Sequence, residues 1–454
     1  MDFVLGLLLL LGVLIVTVMQ GGSLLVPLSV ANGVFVGLYW RRGFALGQLL
    51  QMLVAGARQS VAVVVILLLI GLVVATWIAA GTVPALVYYG VSLIQADYFV
   101  LSAFLLTAAV SVVIGTSFGA VGTIGIALMI VARSSDVSVP LATGAIIAGA
   151  YVGDRCSPLS SSAHLVAGLT QTQLYSNLYN MVLTSLAPLL VSGLIYAFWP
   201  HKAIELTTNH PLTAAILAQF QLGWLPFLPA VIVLGLASWR VPVRLTLLLS
   251  WLAALAIAWQ YQGYALGELV QFMVSGYQLP EPAALHDVLQ GGGLLSMGQV
   301  CLMVLASTAL AGLLAGTQAL QSLQRPLLKL AQNGHLFAGT LLAGVISAAI
   351  GCTQTIAIVL TYQLMHQPYT QAKLNPHQLA VDIEDTAVVV SPLIPWNIAG
   401  LVPAAILDSQ ASFIPYAIYL YLLPLAGLWL RPRSWFSLPA VRPLGQSKPP
   451  PTNR

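Results

Sequence analysis

Charge is what this sequence has least of. Only 6% of its 454 residues are Asp, Glu, Lys or Arg, against about 25% in soluble domains. A chain so poor in charge cannot cover a water-facing surface, and with 59% hydrophobic residues it reads as a polytopic α-helical membrane protein. Period-two alternation is missing as well. The apolar stretches are near-continuous and of helix length, which argues against a β-barrel. Cysteine is scarce: Cys156, Cys301 and Cys352 lie in apolar segments without metal-ligand spacing, so they imply no disulfide framework and read as small buried hydrophobes. Residues 1–20 lack a basic start and a small-residue cleavage site and read as the first membrane helix rather than a signal peptide. The net charge of +4 comes largely from loops and tail, where it reports orientation and gives no sign of nucleic-acid binding.

Against this apolar background one stretch stands out, AGAYVGDRCSPLSSSAHLVAG at 148–168. It places Asp154, Arg155 and His164 among lipid-soluble segments, where ionisable groups are costly and usually functional. A second stretch has the same grammar: Asp382, Glu384, Asp385 and Thr386, then SPLIPWN from Ser391 to Asn397. The two read as opposite walls of one ion or substrate site.

Spans are expected near 2–20, 23–40, 60–80, 98–115, 118–132, 138–152 and 175–199, then 224–238, 242–260, 292–316, 336–351, 353–366, 378–391 and 412–431. An amphipathic segment at 43–57 joins the second and third, and residues 80–84 break the helical pattern. The halves repeat. GFALGQLLQMLVAG at 43–56 matches GYALGELVQFMVSG at 263–276, Ala80-Gly81-Thr82 pairs with Ala315-Gly316-Thr317, Ile114-Gly115-Thr116-Ser117 with Ile350-Gly351-Cys352-Thr353, and Ser157-Pro158-Leu159 with Ser391-Pro392-Leu393. Conserved order makes this an internal repeat, which defines the architecture. The first repeat is expected over 1–199, a connector over 200–222, the second repeat over 223–431, and a disordered cytoplasmic tail over 432–454.

Charge inverts between the halves. Arg41, Arg42 and Arg58 surround the first amphipathic segment, whereas its partner carries Glu268, Glu281 and Asp287 and no basic residue. Arg240, Arg244, Arg325 and Lys329 match first-half loops without basic residues. By the positive-inside rule equivalent loops lie on opposite sides, with both termini cytoplasmic; Arg133 does not fit this scheme. Inverted repeats with broken helices or re-entrant half-helices meeting at the midplane are a plan of secondary transporters.

Each Ser-Pro reads as a helix start, serine capping and proline at the first helical position. Ser157 and Ser391 would then begin half-helices whose positive ends the acids offset. A small hard cation prefers oxygen ligands, and Asp154, Ser157, Thr116, Ser117, Thr353, Thr355, Asp385, Thr386 and Asn397 supply them. Asp382 and Asp385 share a helix face while Glu384 points about 100° away. The expected division has Asp385, with Asp154, on sodium and Glu384 facing Arg155. Burial disfavours the charged carboxylate, so protons and cations compete for it. Arg155 reads either as a binder of a substrate carboxylate or as a structural partner of Asp154 or Glu384. His164 is read either as a proton relay or as a hydrogen-bonded packing residue, and Trp396 as packing.

At these motifs the sequence resembles the NhaC family of sodium/proton antiporters. The matching stretches are GTVPALVYYG at 81–90, GTSFGAVGTIGIALM at 115–129, GDRCSPLS at 153–160, and Glu384-Asp385 with SPLIPWN at 391–397. The resemblance implies an inner-membrane carrier driven by ion gradients, exchanging sodium for protons or coupling them to small organic solutes. Where many members carry Asp-Thr-Thr-Asn, this chain has Ser161-Ser162-Ala163-His164, and a frequent Thr before the second Ser-Pro is Val390. The loss of one acid favours a carboxylate-bearing solute at the helix N-termini. The leading expectation is therefore a sodium/proton antiporter; the alternative is a sodium- or proton-coupled exchanger of a small organic anion or amino acid. Neither an enzyme nor a cofactor is expected, since no strand-turn-helix surrounds a nucleophile. The partners are sodium, protons, the lipid bilayer and, as a candidate, a second copy in a homodimer.

Overall fold

The computed structural model describes residues 22–93, 98–134, 137–199, 216–239, 241–278, 291–317 and 336–430, with a few positions before residue 22. Most of the first expected span, much of the connector, Arg240, Glu281, Asp287, Arg325, Lys329 and the tail lie outside them. Among the described residues, regular structure is helical apart from one isolated bridge between Tyr277 and Gly291.

The first half contributes α1 (Leu25–Arg41), α2 (Leu46–Gln59), α3 (Val61–Ala79), α4 (Thr82–Leu93) and α5 (Phe99–Ile114). Next comes α6, which starts as Ser117–Ala120, widens into a π turn at Val121–Gly125 and continues as Ile126–Ser134. It is followed by α7 (Val139–Cys156), α8 (Ser161–Thr170) and α9 (Leu174–Ala197). The second half has α10 (Leu228–Ser238), α11 (Val243–Gln260), α12 (Leu266–Ser275), α13 (Leu294–Gly316), α14 (Leu336–Gly351) and α15 (Gln354–Gln371). Then α16 runs over Pro376–Ile383 and widens into a π turn at Glu384–Val388, before α17 (Ile398–Ile406) and α18 (Ile418–Leu430).

Three helices, α3, α9 and α13, are long and apolar enough to cross a membrane; α16 and α17 together make a fourth such span, bent by 53°. Most other apolar helices are shorter, 10–17 residues. Glycine and Ser-Pro segments cut the apolar runs, as at Gly115 between α5 and α6 and at Ser391-Pro392 between α16 and α17. The segment 80–84 proves to be a two-residue interruption, Ala80-Gly81: Gly81 turns with φ +77° and α4 begins at Thr82. The span expected over 138–152 continues to Cys156, which puts Asp154 in the last helical turn of α7.

The core is apolar and shared by both halves. Leu67 and Ile70 of α3, Phe104 of α5, Ile147 of α7, Val402 of α17 and Leu420 of α18 are fully enclosed in one cluster. Apolar residues also face outward: Leu186, Leu190 and Leu194 form an exposed stripe along α9, four apart and hence on one face. Contiguous exposed apolar faces mark membrane contact. The most extensive helix pair is α5 with α7. Gly149 and Gly153, one turn apart, make it possible, since a Cβ at either would run into the backbone of Phe104 or Ser111. Small residues at this spacing let membrane helices approach closely. The contact brings the end of α7, and Asp154 with it, against the end of α5.

Candidate functional site

Two helix breaks build the site. α5 ends at Ile114, Gly115 takes a left-handed conformation (φ +79°), and Thr116 is extended, its Oγ1 accepting from the Gly119 amide at 2.8 Å to cap α6. α14 ends at Gly351, Cys352 is left-handed (φ +53°), and Thr353 is extended, its Oγ1 accepting from the Ile356 amide at 3.2 Å to cap α15. The geometry repeats step for step, one residue out of the register that the sequence match suggests. Gly115 corresponds to Cys352, Thr116 to Thr353 and Ser117 to Gln354. The identical Ile-Gly letters misalign the pair, because the left-handed residue in the second break is a cysteine.

Asp154 lies where the breaks meet. Its Oδ1 accepts from the Ser117 amide at 3.2 Å and its Oδ2 from Gln354 Nε2 at 2.7 Å, one donor from each half and both from the first helical residue after a break. The Ser117 amide belongs to a helix N-terminus, which favours a carboxylate. The end of α7 is satisfied locally: Ser160 Oγ and Ser162 Oγ both donate to the Asp154 carbonyl, the latter at 2.8 Å. Asp154 is 5% exposed and borders a cavity of about 340 Å³ lined by Gln59, Ser60, Thr116, Ser117, Thr308, Thr353, Gln354 and Thr355 among others. Ser60 and Thr308 close one wall with hydroxyls 3.0 Å apart. Among the described residues no three His, Cys, Asp or Glu side chains converge. The oxygens offered beside Asp154 are therefore hydroxyls and amides.

Of the residues expected at the site, Asp154, Thr116, Ser117, Thr353 and Thr355 share this cavity. The others do not line it. Ser157 and Ser391 do not begin half-helices. Ser157 follows the end of α7 and its Oγ accepts from the Leu159 amide at 3.1 Å, while α8 is capped by Ser160. Ser391 opens a three-residue 3-10 turn with its hydroxyl on the Ala387 carbonyl at 2.6 Å, and α17 is capped by Asn397. In both places the chain needs a turn after Ser-Pro before a helix can restart, which moves the cap three or six residues on. Asn397 spends its whole amide structurally, accepting from the Ala399 amide and donating to the Ala348 carbonyl. Thr386 bonds back to the Asp382 carbonyl at 2.5 Å. The Asp382 carboxylate receives the Tyr369 hydroxyl at 2.5 Å, with Thr340 beside it. His164 is exposed, with Nε2 donating to the Pro158 carbonyl at 3.0 Å.

Arg155 and the paired acids form a separate buried knot. The guanidinium, fully enclosed, donates to Asp385, to Thr184 Oγ1 at 2.6 Å, to Ser185 and to the Met181 carbonyl at 3.0 Å. Arg155 therefore pairs with Asp385, where the expected division had given it Glu384 as its partner. Glu384 is fully buried, and neither of its oxygens has a hydrogen-bond partner among the described residues. It lies within electrostatic reach of Arg155, Asp154 and Asp385. The π turn starting at Glu384 widens the local helix, so an angular register drawn for a regular α-helix misplaces both side chains.

Helices interrupted in the apolar interior, with a carboxylate held between the interruptions, define a membrane transport protein. The chain belongs to the Na+/H+ antiporter family, whose model matches residues 149–431. It is 29% identical over 406 residues to an uncharacterised Na+/H+ antiporter of Haemophilus influenzae, covering 86% of this chain and 87% of the relative. It is 28% identical over 394 residues to the Na+/H+ antiporter NhaC of Alkalihalophilus pseudofirmus, covering 86% and 85%. The malate-2H+/Na+-lactate antiporter of Bacillus subtilis is 27% identical over 383 residues, covering 83% and 82%.

Proposed function

We propose that the protein exchanges sodium for protons across an inner (cytoplasmic) membrane, with Asp154 carrying either a cation or a proton in alternation. One observation carries the reading: each oxygen of this carboxylate is held by a donor from a different half of the chain, beside a polar cavity. A relative movement of the halves therefore changes the surroundings of Asp154 directly. One carboxylate able to take a proton or a cation suffices for exchange, because the carrier crosses with either ligand bound. Membership of the antiporter family supports the same reading.

The two breaks are proposed as the centres of inverted repeats. The matching backbone at Gly115–Ser117 and Cys352–Gln354 supports a repeat, and the basic residues Arg41, Arg42 and Arg58 against Glu268 in the matching loop support its inversion. On this scheme the Asp154 cavity, next to Gln59 and Ser60, opens toward the cytoplasm and both termini are cytoplasmic. Arg133, the exception to the charge pattern, is bound to Asp408 at 3.0 Å and to the Leu407 and Asp408 carbonyls. Its charge is thus largely spoken for.

The deciding measurement is sodium-driven proton flux in proteoliposomes. Wild type should show it, and Asp154→Asn should abolish it while keeping a wild-type elution profile and melting temperature. Folded Asp154→Asn protein with undiminished flux defeats the reading.

A second reading, exchange of a small organic anion or amino acid, is favoured by one observation. A larger cavity of about 850 Å³ lies at the other ends of α3, α6, α13 and α17, lined by Val74, Ile126, Arg133, Met297, Ala404 and Asp408 among others. Its mixture of apolar wall and a few polar groups, Ser296, Gln299 and Gln410 among them, is that of small-molecule sites. Flux that requires an added carboxylate or amino acid would establish this reading.

A further inference from the structure

Gln354 did not stand out in the sequence, yet its amide is in direct contact with Asp154. An ionised carboxylate only accepts hydrogen bonds, so the amide presents Nε2 to Oδ2, at 2.7 Å. The other oxygen takes the Ser117 backbone amide, a donor that cannot become an acceptor. Gln354 can. Its terminal torsion is broad and roughly two-fold, and a half-turn puts Oε1 where Nε2 now lies.

We infer that Gln354 is the specificity-determining ligand of the cation site, exchanging its donor end for its acceptor end when a cation replaces the amide hydrogen at Asp154 Oδ2. This rests on the sodium/proton reading and deepens it. The exchange keeps a partner on Oδ2 in both states, so the empty carrier never leaves that oxygen bare in a buried site, where an unpaired charged group is costly. Because the amide is neutral, the pair carries one negative charge, which a single monovalent cation neutralises. Hydroxyls of Thr116, Thr353 and Thr355 line the same cavity and offer further oxygens. The two donors divide the work: Ser117 anchors the carboxylate, and Gln354 yields its place to the ion.

The test compares wild type, Gln354→Met and Gln354→Glu in proteoliposomes, with sodium, lithium or potassium chloride outside and proton flux as the readout. Methionine keeps the length and removes both donor and acceptor. Gln354→Met loses a hydrogen bond in the empty carrier and an oxygen ligand in the loaded one, losses that oppose each other in the sodium KM. It should therefore chiefly narrow the preference for sodium over potassium, several-fold, with kcat near wild type. Gln354→Glu should render exchange sensitive to calcium chloride, which two adjacent carboxylates bind and the wild-type pair does not. Unchanged selectivity in Gln354→Met, or a fall in kcat alone, would mean that Gln354 merely supports the fold, and the inference falls. If Gln354→Met does not fold, absence of calcium inhibition in folded Gln354→Glu overturns it. Absence of sodium-dependent flux in wild type defeats instead the sodium/proton reading. In that event a sodium-induced rise in wild-type melting temperature that Gln354→Met lacks would still support a cation ligand, and an equal response in both proteins would end the claim.

Discussion

Asp385 accepts from Arg155 and lies 3.4 Å from Thr184 Oγ1, whereas its neighbour Glu384 meets no donor among the described residues. The difference predicts opposite stability effects from two like substitutions. Asp385→Asn removes one partner of a buried ion pair and should destabilise the protein by about 3–5 kcal/mol. Glu384→Gln breaks no bond and should leave the melting temperature close to wild type or higher. Thermal melts of the two purified variants in detergent decide this, and equal losses would mean that the two acids share Arg155. That both acids are buried together was legible from their place in an apolar stretch. Which of them takes Arg155 was not, because a π turn leaves no mark in composition or spacing. Asp154 was legible for the same reason as the acids, while Gln354 was hidden by the one-residue slip between matching letters and matching backbone.

Among the helices, the two breaks carry different residues at the left-handed position, Gly115 and Cys352. A residue with a Cβ costs roughly 1–2 kcal/mol in that conformation. Cys352→Gly should therefore stabilise the protein by about that amount, and Gly115→Ala should destabilise it by more, since the added Cβ would also press on Leu159. Melting temperatures of both variants check this; a loss of stability in Cys352→Gly would mean that the thiol contributes packing that outweighs the backbone cost. Most long spans were readable from their apolar runs. α4 and α17 were not among them, for the breaker residues at 80–84 and 391–397 advertise an interruption without saying how soon a helix resumes. The Ser-Pro caps failed for a related reason. A serine before proline is as good at ending one helix as at starting the next, and here three or six residues of turn intervene.

On the scale of the whole molecule, the smaller and larger cavities lie at opposite ends of α3, α6, α13 and α17. On α17 the two are close, Ala399 lining one and Leu401 the other, about 3 Å apart along the axis. Single cysteines should report this from opposite sides, in a background with Cys156, Cys301 and Cys352 replaced. Thr355→Cys should react with an impermeant maleimide from the cytoplasmic face and Ser412→Cys from the other. Labelling of both from one face would refute the proposed orientation of the cavities. The Arg155 knot also bears on how such a protein is made. Asp385 follows Arg155 by 230 residues, so the ribosome delivers the guanidinium to the bilayer long before its counter-ion exists. Its other partners come early: Met181, Thr184 and Ser185 follow by 26, 29 and 30 residues, all on α9. The nascent hairpin of α7 and α9 can thus shelter the charge with hydroxyls and a carbonyl, and the acid arrives later to complete a chamber already assembled.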